Sequence, residues 1–215
     1  MSDNFTSFRK YPDASQAKGL EQFLKDNNIE CLYIDNSPRL GTAFGGEMQK
    51  EYEIQIQQPD FEKATLLLEE LAKEEVNQLP DDYYLLEFTD EELIDVVVKK
   101  DEWNEFDYLL AIRLLKERGK TIDEELISSL NKRRIEDLAK PESDQTAWII
   151  AGYAFALMGG LLGLITGYVI WTADKTLPNG EKVYTYSKRD RKHGKRILIL
   201  SLIVLPVLVA YRVFK

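Results

Sequence analysis

Residues that carry covalent, metal or acid–base chemistry are scarce in this chain. His193 is its only histidine and Cys31 its only cysteine. One residue of each type cannot build a disulfide framework or a cysteine-based metal site, and no carboxylates stand at a spacing typical of catalytic acid–base pairs. The sequence therefore predicts a protein that is not an enzyme and that uses no cofactor or metal.

The densest group of carboxylates stands at the start of a predicted helix and comprises Asp90, Glu91, Glu92 and Asp95. Thr89 and Glu92 have the spacing of a capping box, in which the two side chains satisfy free backbone N–H groups. A metal or acid–base cluster is the alternative interpretation. We interpret the group as the solvent-exposed face of a helix.

A loop at residues 36–50, NSPRLGTAFGGEMQK, could bind an anion because its glycines let the backbone approach a ligand. Its spacing matches neither the dinucleotide fingerprint nor the P-loop, and an ordinary connection between two strands is the competing interpretation. The candidate ligand-binding residues are Arg39, Gly41, Gly45, Gly46 and Lys50.

Residues 186–196, YSKRDRKHGKR, concentrate positive charge in a chain whose formal net charge is −9. Basic residues next to an apolar segment are expected to meet lipid phosphates. They serve either as an anchor and orientation signal or as a headgroup site centred on His193 and Gly194. Both interpretations assign lipid or anion contact to Lys188, Arg189, Arg191, Lys192, His193, Lys195 and Arg196.

The overall charge is split between two parts of the chain. Residues 147–215 hold ten Lys/Arg and three Asp/Glu, a net charge of +7, which leaves −16 for residues 1–146. An acidic body repels the phosphate backbone, so we expect no nucleic-acid partner. The split indicates an acidic soluble part and a basic part that faces a membrane.

Two apolar segments predict two transmembrane helices. Residues 147–171 contain no charged side chain over 25 positions, enough for a helix to cross a hydrocarbon core of about 30 Å. Residues 197–211 form a shorter apolar segment, in which Pro206 is expected to cause a kink. Neither segment contains an ionisable residue of the kind that transporters place within the membrane, so transport by this chain alone is not expected.

Small residues recur at every fourth position of the first apolar segment. Gly159, Gly163 and Gly167 form one row, and a second row follows at Gly152, Ala156 and Gly160. Such rows let helix backbones approach closely in lipid. They predict packing against the second segment or another copy of the chain, although glycine is also simply common in membrane helices.

The first 76 residues alternate between strand and helix patterns. Residues 5–11, 29–35 and 52–57 predict strands, and residues 13–28 and 61–76 predict helices with one apolar face. The order βαββα predicts an α+β module in which both helices cover one face of a small sheet.

This module, over about residues 5–76, resembles the prokaryotic signal-transducing protein domain of unknown function, which is related to ferredoxin-like folds. The resemblance rests on the aromatic start at Phe8 and Tyr11, the IECLYID strand, the glycine loop and the PDFEKA sequence that opens the second helix. Ala14 and Ala17 of the first helix add to it. The resemblance implies a sensing module for a ligand or a protein partner and carries no catalytic residue.

The chain is thus expected to be organised in five parts. Residues 1–78 form the α+β module, and residues 79–146 form a helical linker with three helical stretches. Residues 147–171 and 197–215 are the two predicted spans, and residues 172–196 are a basic connecting loop with a small hairpin in its first half.

Orientation creates a conflict. Two spans put both ends of the chain on one side, and an acidic domain that lacks an apolar leader belongs in the cytoplasm. The positive-inside rule asks for the basic loop, with eight Lys/Arg, on that same side. We expect a multi-pass protein of the inner membrane with a cytoplasmic domain. A re-entrant segment at Gly159 and Gly160 is the alternative that satisfies both rules.

The sequence therefore predicts a non-enzymatic, membrane-anchored sensory or adaptor protein. Its expected partners are anionic membrane lipids and a second copy or another protein bound through the amino-terminal module. The alternatives are an accessory subunit of a larger transport or secretion complex and, less favoured, a membrane-linked enzyme.

Overall fold

The computed structural model describes residues 5–37, 50–80, 82–120 and 123–214, except for the side chain of Glu124. The fold is α+β, as predicted. The chain divides into two compact units. The first consists of residues 1–138 with 176–181, and the second of residues 139–175 with 182–215.

The first unit begins with a three-stranded antiparallel sheet of order β1-β3-β2. Its strands are β1 (Phe5–Tyr11), β2 (Cys31–Asp35) and β3 (Tyr52–Gln57). Along the chain, helix α1 (Ala14–Asp26) connects β1 to β2, and α2 (Phe61–Val76) follows β3. Asp13 begins α1 by accepting a 2.6 Å hydrogen bond from the Ser15 N–H, which is otherwise without an acceptor at a helix start.

Alternation in the strands decides which side of the sheet is covered. Ile54 and Ile56 of β3 are fully buried, and they pack with Leu24 of α1 and Ala64 of α2 in one core. The predicted apolar face of α1, which includes Ala17 and Leu20, is also buried. Each large side chain that is fully buried contributes roughly 1.5–3 kcal/mol relative to exposure, so this face fixes the position of both helices.

The rest of the first unit is helical. It contains α3 (Asp90–Val98), α4 (Glu105–Glu117) and α5 (Glu124–Ala139). The capping box at Thr89 is present, with the Thr89 N–H donating to Glu92 Oε2 at 2.7 Å. Leu93, Leu110 and Leu115 are fully buried in a second core. Asp107 is buried there as well, and it accepts hydrogen bonds from two tyrosines.

The second unit contains α6 (Thr146–Met158), α7 (Leu161–Thr172) and α8 (Lys188–Val213). Strands β4 (Asp174–Thr176) and β5 (Lys182–Tyr184) form a hairpin between α7 and α8. The tip of that hairpin, residues 176–181, belongs to the first unit. There the Gln58 side-chain amide donates to the Asn179 carbonyl at 3.3 Å.

The prediction of two transmembrane helices is wrong, because residues 147–171 do not form one helix. The helix ends at Met158, and a new one begins at Leu161. Gly160 has φ +78°, a left-handed conformation that glycine adopts without steric cost. At 1.5 Å per residue, α6 and α7 are about 20 Å and 18 Å long, too short to cross about 30 Å of hydrocarbon.

The basic stretch also differs from the prediction, since it is helical rather than a loop. Ser187 precedes α8, and its Oγ accepts a 3.1 Å hydrogen bond from the Asp190 N–H. The same hydroxyl donates to Asp190 Oδ2 at 2.7 Å. This local capping starts the helix within the charged sequence, so that charged and apolar residues share one continuous element.

Candidate membrane-anchoring site

Among the described residues, α8 is the one helix long and apolar enough to cross a membrane. Its 26 residues span about 39 Å. In its most apolar window of 18 residues, 11% are buried inside the unit. A core helix of a soluble protein would bury most of that window, so the exposed apolar surface of α8 favours lipid as its surroundings.

Helices α6 and α7 pack against each other in antiparallel directions. A Cβ added to Gly163 would lie 2.6 Å from the Ala156 Cα, and one added to Gly152 would lie 3.2 Å from Thr166 Cγ2. Residues that contact each other across the two helices lie at similar distances from Gly160 along the chain, as expected for antiparallel helices. The two helices therefore form a helical hairpin with Gly159 and Gly160 at its tip.

Helix α7 also packs against α8 in antiparallel directions. A Cβ on Gly160 would lie 2.8 Å from Leu205 Cβ, whereas one on Gly167 would lie 2.6 Å from the Leu198 N. Beyond its chain neighbours, no atom of the described part of the chain lies within 4 Å of a Cβ built on Gly159. The structure thus places two of the three predicted packing glycines, Gly163 and Gly167, in close helix contacts, and it leaves Gly159 open.

Gly167 of α7 and Gly194 of α8 face each other across the contact between the two helices. A Cβ on Gly167 would lie 2.8 Å from the Gly194 carbonyl oxygen, and one on Gly194 would lie 2.9 Å from the Gly167 carbonyl oxygen. In each glycine a Cα–H bond takes the place of the Cα–Cβ bond, so each Cα–H points at the carbonyl oxygen of the other glycine. Such Cα–H···O contacts contribute about 0.5–1 kcal/mol each, and any larger side chain would remove both.

Ser201 of α8 is a polar residue that the sequence did not single out. It is fully buried, and its Oγ has no conventional hydrogen-bond partner among the described residues. The hydroxyl lies in the direction of the missing Cβ of Gly163, so it accepts a Cα–H contact there. Only a small side chain fits between the two helices at this level.

The exposed cations of α8 lie on one face of its first turns. At 100° per residue the five positions fall within one third of the helix circumference. This face is opposite Gly194 and Ile197, which are buried against the hairpin. No salt bridge between described residues involves any of the five. The basic face consists of Lys188, Arg189, Lys192, Lys195 and Arg196.

The other two predicted lipid contacts are held by the protein itself. The Arg191 Nε donates to the Trp171 carbonyl at 3.1 Å, and the guanidinium carbon lies 3.1 Å from the ring centroid of Tyr184. His193 Nδ1 is 3.2 Å from the Tyr153 hydroxyl. The structure therefore separates an exposed basic face from two side chains, Arg191 and His193, that contact α6, α7 and the strand β5.

Aromatic residues surround this level of the unit. Trp171 lies at the end of α7, where the Lys195 Nζ is 5.7 Å from its ring centroid. Trp148 near the start of α6 is 62% exposed. Tryptophan and tyrosine are enriched where a membrane meets water, so the aromatic and basic residues together are a combination typical of a membrane interface.

The anion-binding loop predicted in the first unit falls largely outside the described residues. Arg39, Gly41, Gly45 and Gly46 are in that position, whereas Lys50 is described and exposed. The structure therefore does not test this site, and it stays a prediction.

The carboxylates that could suggest a metal site are occupied by other partners. Asp90 pairs with Lys120 at 2.8 Å and with Arg118 at 3.1 Å, and the hydrogen bonds from these cations lower its pKa. Asp95 pairs with Lys99. Within the described part of the chain, no three acidic, histidine or cysteine side chains are grouped to hold a metal ion.

Comparisons with protein-family models, with curated proteins and with solved structures find no match to this chain. The resemblance of residues 5–76 to the signal-transducing protein domain therefore stays a prediction.

Proposed function

We propose that this chain is a non-enzymatic sensory or adaptor protein of the inner membrane, anchored by one spanning helix and one re-entrant helical hairpin. In this account α8 crosses the bilayer. Helices α6 and α7 enter it and return on the same side. The first unit and the basic face of α8 then lie together in the cytoplasm.

The observation that carries the proposal is that the chain segments before α6 and after α7 lie side by side. The Lys175 Nζ donates to the Lys140 carbonyl at 2.8 Å, and the Glu142 N–H donates to the Thr185 carbonyl at 2.9 Å. Glu142 also forms an isolated parallel bridge with Tyr186. A single span between these segments would place them at opposite surfaces, about 30 Å apart.

This topology removes the conflict between the two orientation rules. Because the hairpin returns to its side of origin, residues 1–138 and the basic start of α8 share one compartment. The positive-inside rule and the acidic soluble unit then agree on the cytoplasm.

Anionic lipid is the partner that the basic face of α8 suits best. Each Lys or Arg near an anionic surface contributes on the order of 1 kcal/mol, screened by salt. Five exposed cations on one face of a helix, none of which forms a salt bridge with another described residue, can therefore hold several headgroups. The first unit would sense a ligand or a protein partner, as its resemblance implies.

The lipid contact is tested by changing three of these cations to glutamine. Lys188, Arg189 and Lys192 lie outside the packed helix surfaces, so Lys188→Gln, Arg189→Gln and Lys192→Gln together should leave the fold intact. The quantity to measure is the ratio of phosphatidylglycerol to phosphatidylcholine that co-purifies with the protein from mixed membranes in mild detergent. We expect this ratio to be several-fold lower for the variant than for the unchanged chain.

The matched control carries the same charge change in the first unit, at three exposed lysines. Equal loss of phosphatidylglycerol in both variants would mean that net charge, and not the basic face, attracts the lipid. That result would contradict the proposed lipid contact. The control changes are Lys18→Gln, Lys116→Gln and Lys132→Gln.

A further inference from the structure

The second unit has a very different width at its two ends. Helices α6, α7 and α8 lie side by side from the basic face as far as the hairpin tip, where Gly160 contacts Leu205. Beyond Leu205, α8 is the only one of these three helices that continues. The described part of the unit is thus three helices wide in one region and one helix wide in the other.

The position of the tip can be measured along α8. Nine residues separate Arg196 from Leu205, or about 14 Å, and seven residues separate Leu205 from Arg212, or about 10 Å. If these two arginines mark the two membrane interfaces, as the proposed function requires, the tip lies at or slightly past the middle of the bilayer. The hairpin therefore fills one leaflet and barely enters the other.

The surface of the hairpin is suited to acyl chains down to its tip. Leu157 is 62% exposed, Met158 81% and Leu161 61%. The described hairpin residues 147–171 include no charged side chain. With one leaflet displaced by three helices of about 10 Å diameter and the other by one, the unit has the shape of a wedge.

The geometry points to a preference for curved membranes, with the convex surface on the side of the basic face. A wedge that is wide in one leaflet relieves packing stress where that leaflet is expanded, and curvature-sensitive binding follows from the same physics in amphipathic helices. This inference rests on the proposed function, since it needs α8 to span and the hairpin to lie in lipid. It adds a function: sorting of the protein to convex membrane regions.

The test uses the full chain reconstituted into vesicles of one anionic lipid mixture and two sizes, about 30 nm and about 400 nm in diameter. The exposed Lys182 is replaced by cysteine in a Cys31→Ser background, and an impermeant maleimide reports the fraction of chains with the basic side outward. We expect the ratio of outward to inward chains to be at least about twofold higher in the small vesicles than in the large ones. The same ratio in both sizes would overturn the inference.

A charge at the tip supplies the matched variant. Met158→Lys is expected to pull the tip towards the surface, because a charged side chain at the centre of a bilayer is costly, and so to abolish the size dependence. Val213→Lys adds the same charge beside Arg212 and should preserve it. A size dependence that survives Met158→Lys would also overturn the wedge.

A further cysteine separates the failure of this inference from the failure of the proposed function. Phe214→Cys reports the far end of α8, and it must label from the side opposite Lys182→Cys if α8 spans. Labelling from the same side would contradict the proposed anchor, and the wedge with it. Opposite-side labelling without size dependence would contradict the wedge alone.

Discussion

At the scale of single residues, the role of a glycine depends on which atoms lie where its Cβ would be. Its position in a repeated sequence pattern matters less. Gly159, Gly163 and Gly167 have equal spacing in the sequence, yet Gly159 faces open space and the other two face helix backbones. The spacing identified a row of small residues. It could not identify Gly159 as the end of a helix, because that depends on the turn at Gly160.

The first prediction compares alanine at two of these glycines. Gly163→Ala should lower the free energy of unfolding by about 1–3 kcal/mol, because its Cβ would lie 2.6 Å from backbone atoms of Ala156 and force two helices apart. Gly159→Ala should change it by less than about 0.5 kcal/mol. Thermal unfolding of both variants in mild detergent measures the difference, and equal stability would contradict the hairpin packing.

The second prediction compares two glycines of the first unit that share a left-handed backbone. Gly180 has φ +79° and Gly119 φ +75°, so alanine costs roughly 1–2 kcal/mol at either position. At Gly180 a Cβ would also lie 2.7 Å from the ring of Phe61, whereas, beyond its chain neighbours, no described residue lies within 4 Å of a Cβ on Gly119. Denaturant unfolding should therefore show Gly180→Ala to be the less stable variant. Equal losses of stability would mean that the tip of the β4–β5 hairpin does not pack on Phe61.

The third prediction concerns alkaline pH. Burial, and then the hydrogen bond to Asp107, raises the pKa of Tyr83 to about 12. The pKa of Tyr84 is raised by the same causes. A raised folded-state pKa gives stability that is complete below the unfolded pKa of about 10 and is lost as the pH rises through about 12. The free energy of unfolding should therefore fall over this interval.

The variants Tyr83→Phe and Tyr84→Phe test that link, and together they should flatten the fall in stability between pH 10 and 12. They should also lower stability at neutral pH by about 1–3 kcal/mol, since Asp107 loses donors. Tyr184→Phe, which keeps the ring that contacts Arg191, is the control. An unchanged alkaline slope in the double variant would assign the fall to other groups.

At the scale of elements, the sequence predicted what periodicity and caps encode. Strand β3 follows from strict alternation, and α3 follows from the capping box at Thr89. The apolar face of α1 was readable in the same way, because burial of one side imposes the period of the element.

Elements within uniformly apolar sequence were predicted less well. A segment such as residues 147–171 has no periodicity to reveal an interruption, and its break depends on the left-handed Gly160 and on contacts between distant residues. The start of α8 was missed for a different reason. A dense run of basic residues has no apolar periodicity to indicate a helix, and the signal for one is the three-residue spacing of Ser187 and Asp190, which is that of a helix cap.

At the scale of the whole molecule, the uneven charge and the one long apolar helix found among the described residues support one anchoring scheme. A chain with one span and a re-entrant hairpin keeps its acidic unit and its basic face in the same compartment. A chain with two spans would separate Lys182 from the first unit by a bilayer. The location of one residue therefore distinguishes the two schemes.

The most direct test is the accessibility of three single cysteines in spheroplasts, in a Cys31→Ser background, to an impermeant maleimide before and after lysis. The positions are Ser15→Cys in the first unit, Lys182→Cys before α8 and Phe214→Cys at its far end; all three are exposed. With one span and a re-entrant hairpin, we expect Phe214→Cys to react in intact spheroplasts, while Ser15→Cys and Lys182→Cys react only after lysis. Reaction of Lys182→Cys in intact spheroplasts, with the other two protected, would show two spans and contradict the re-entrant hairpin.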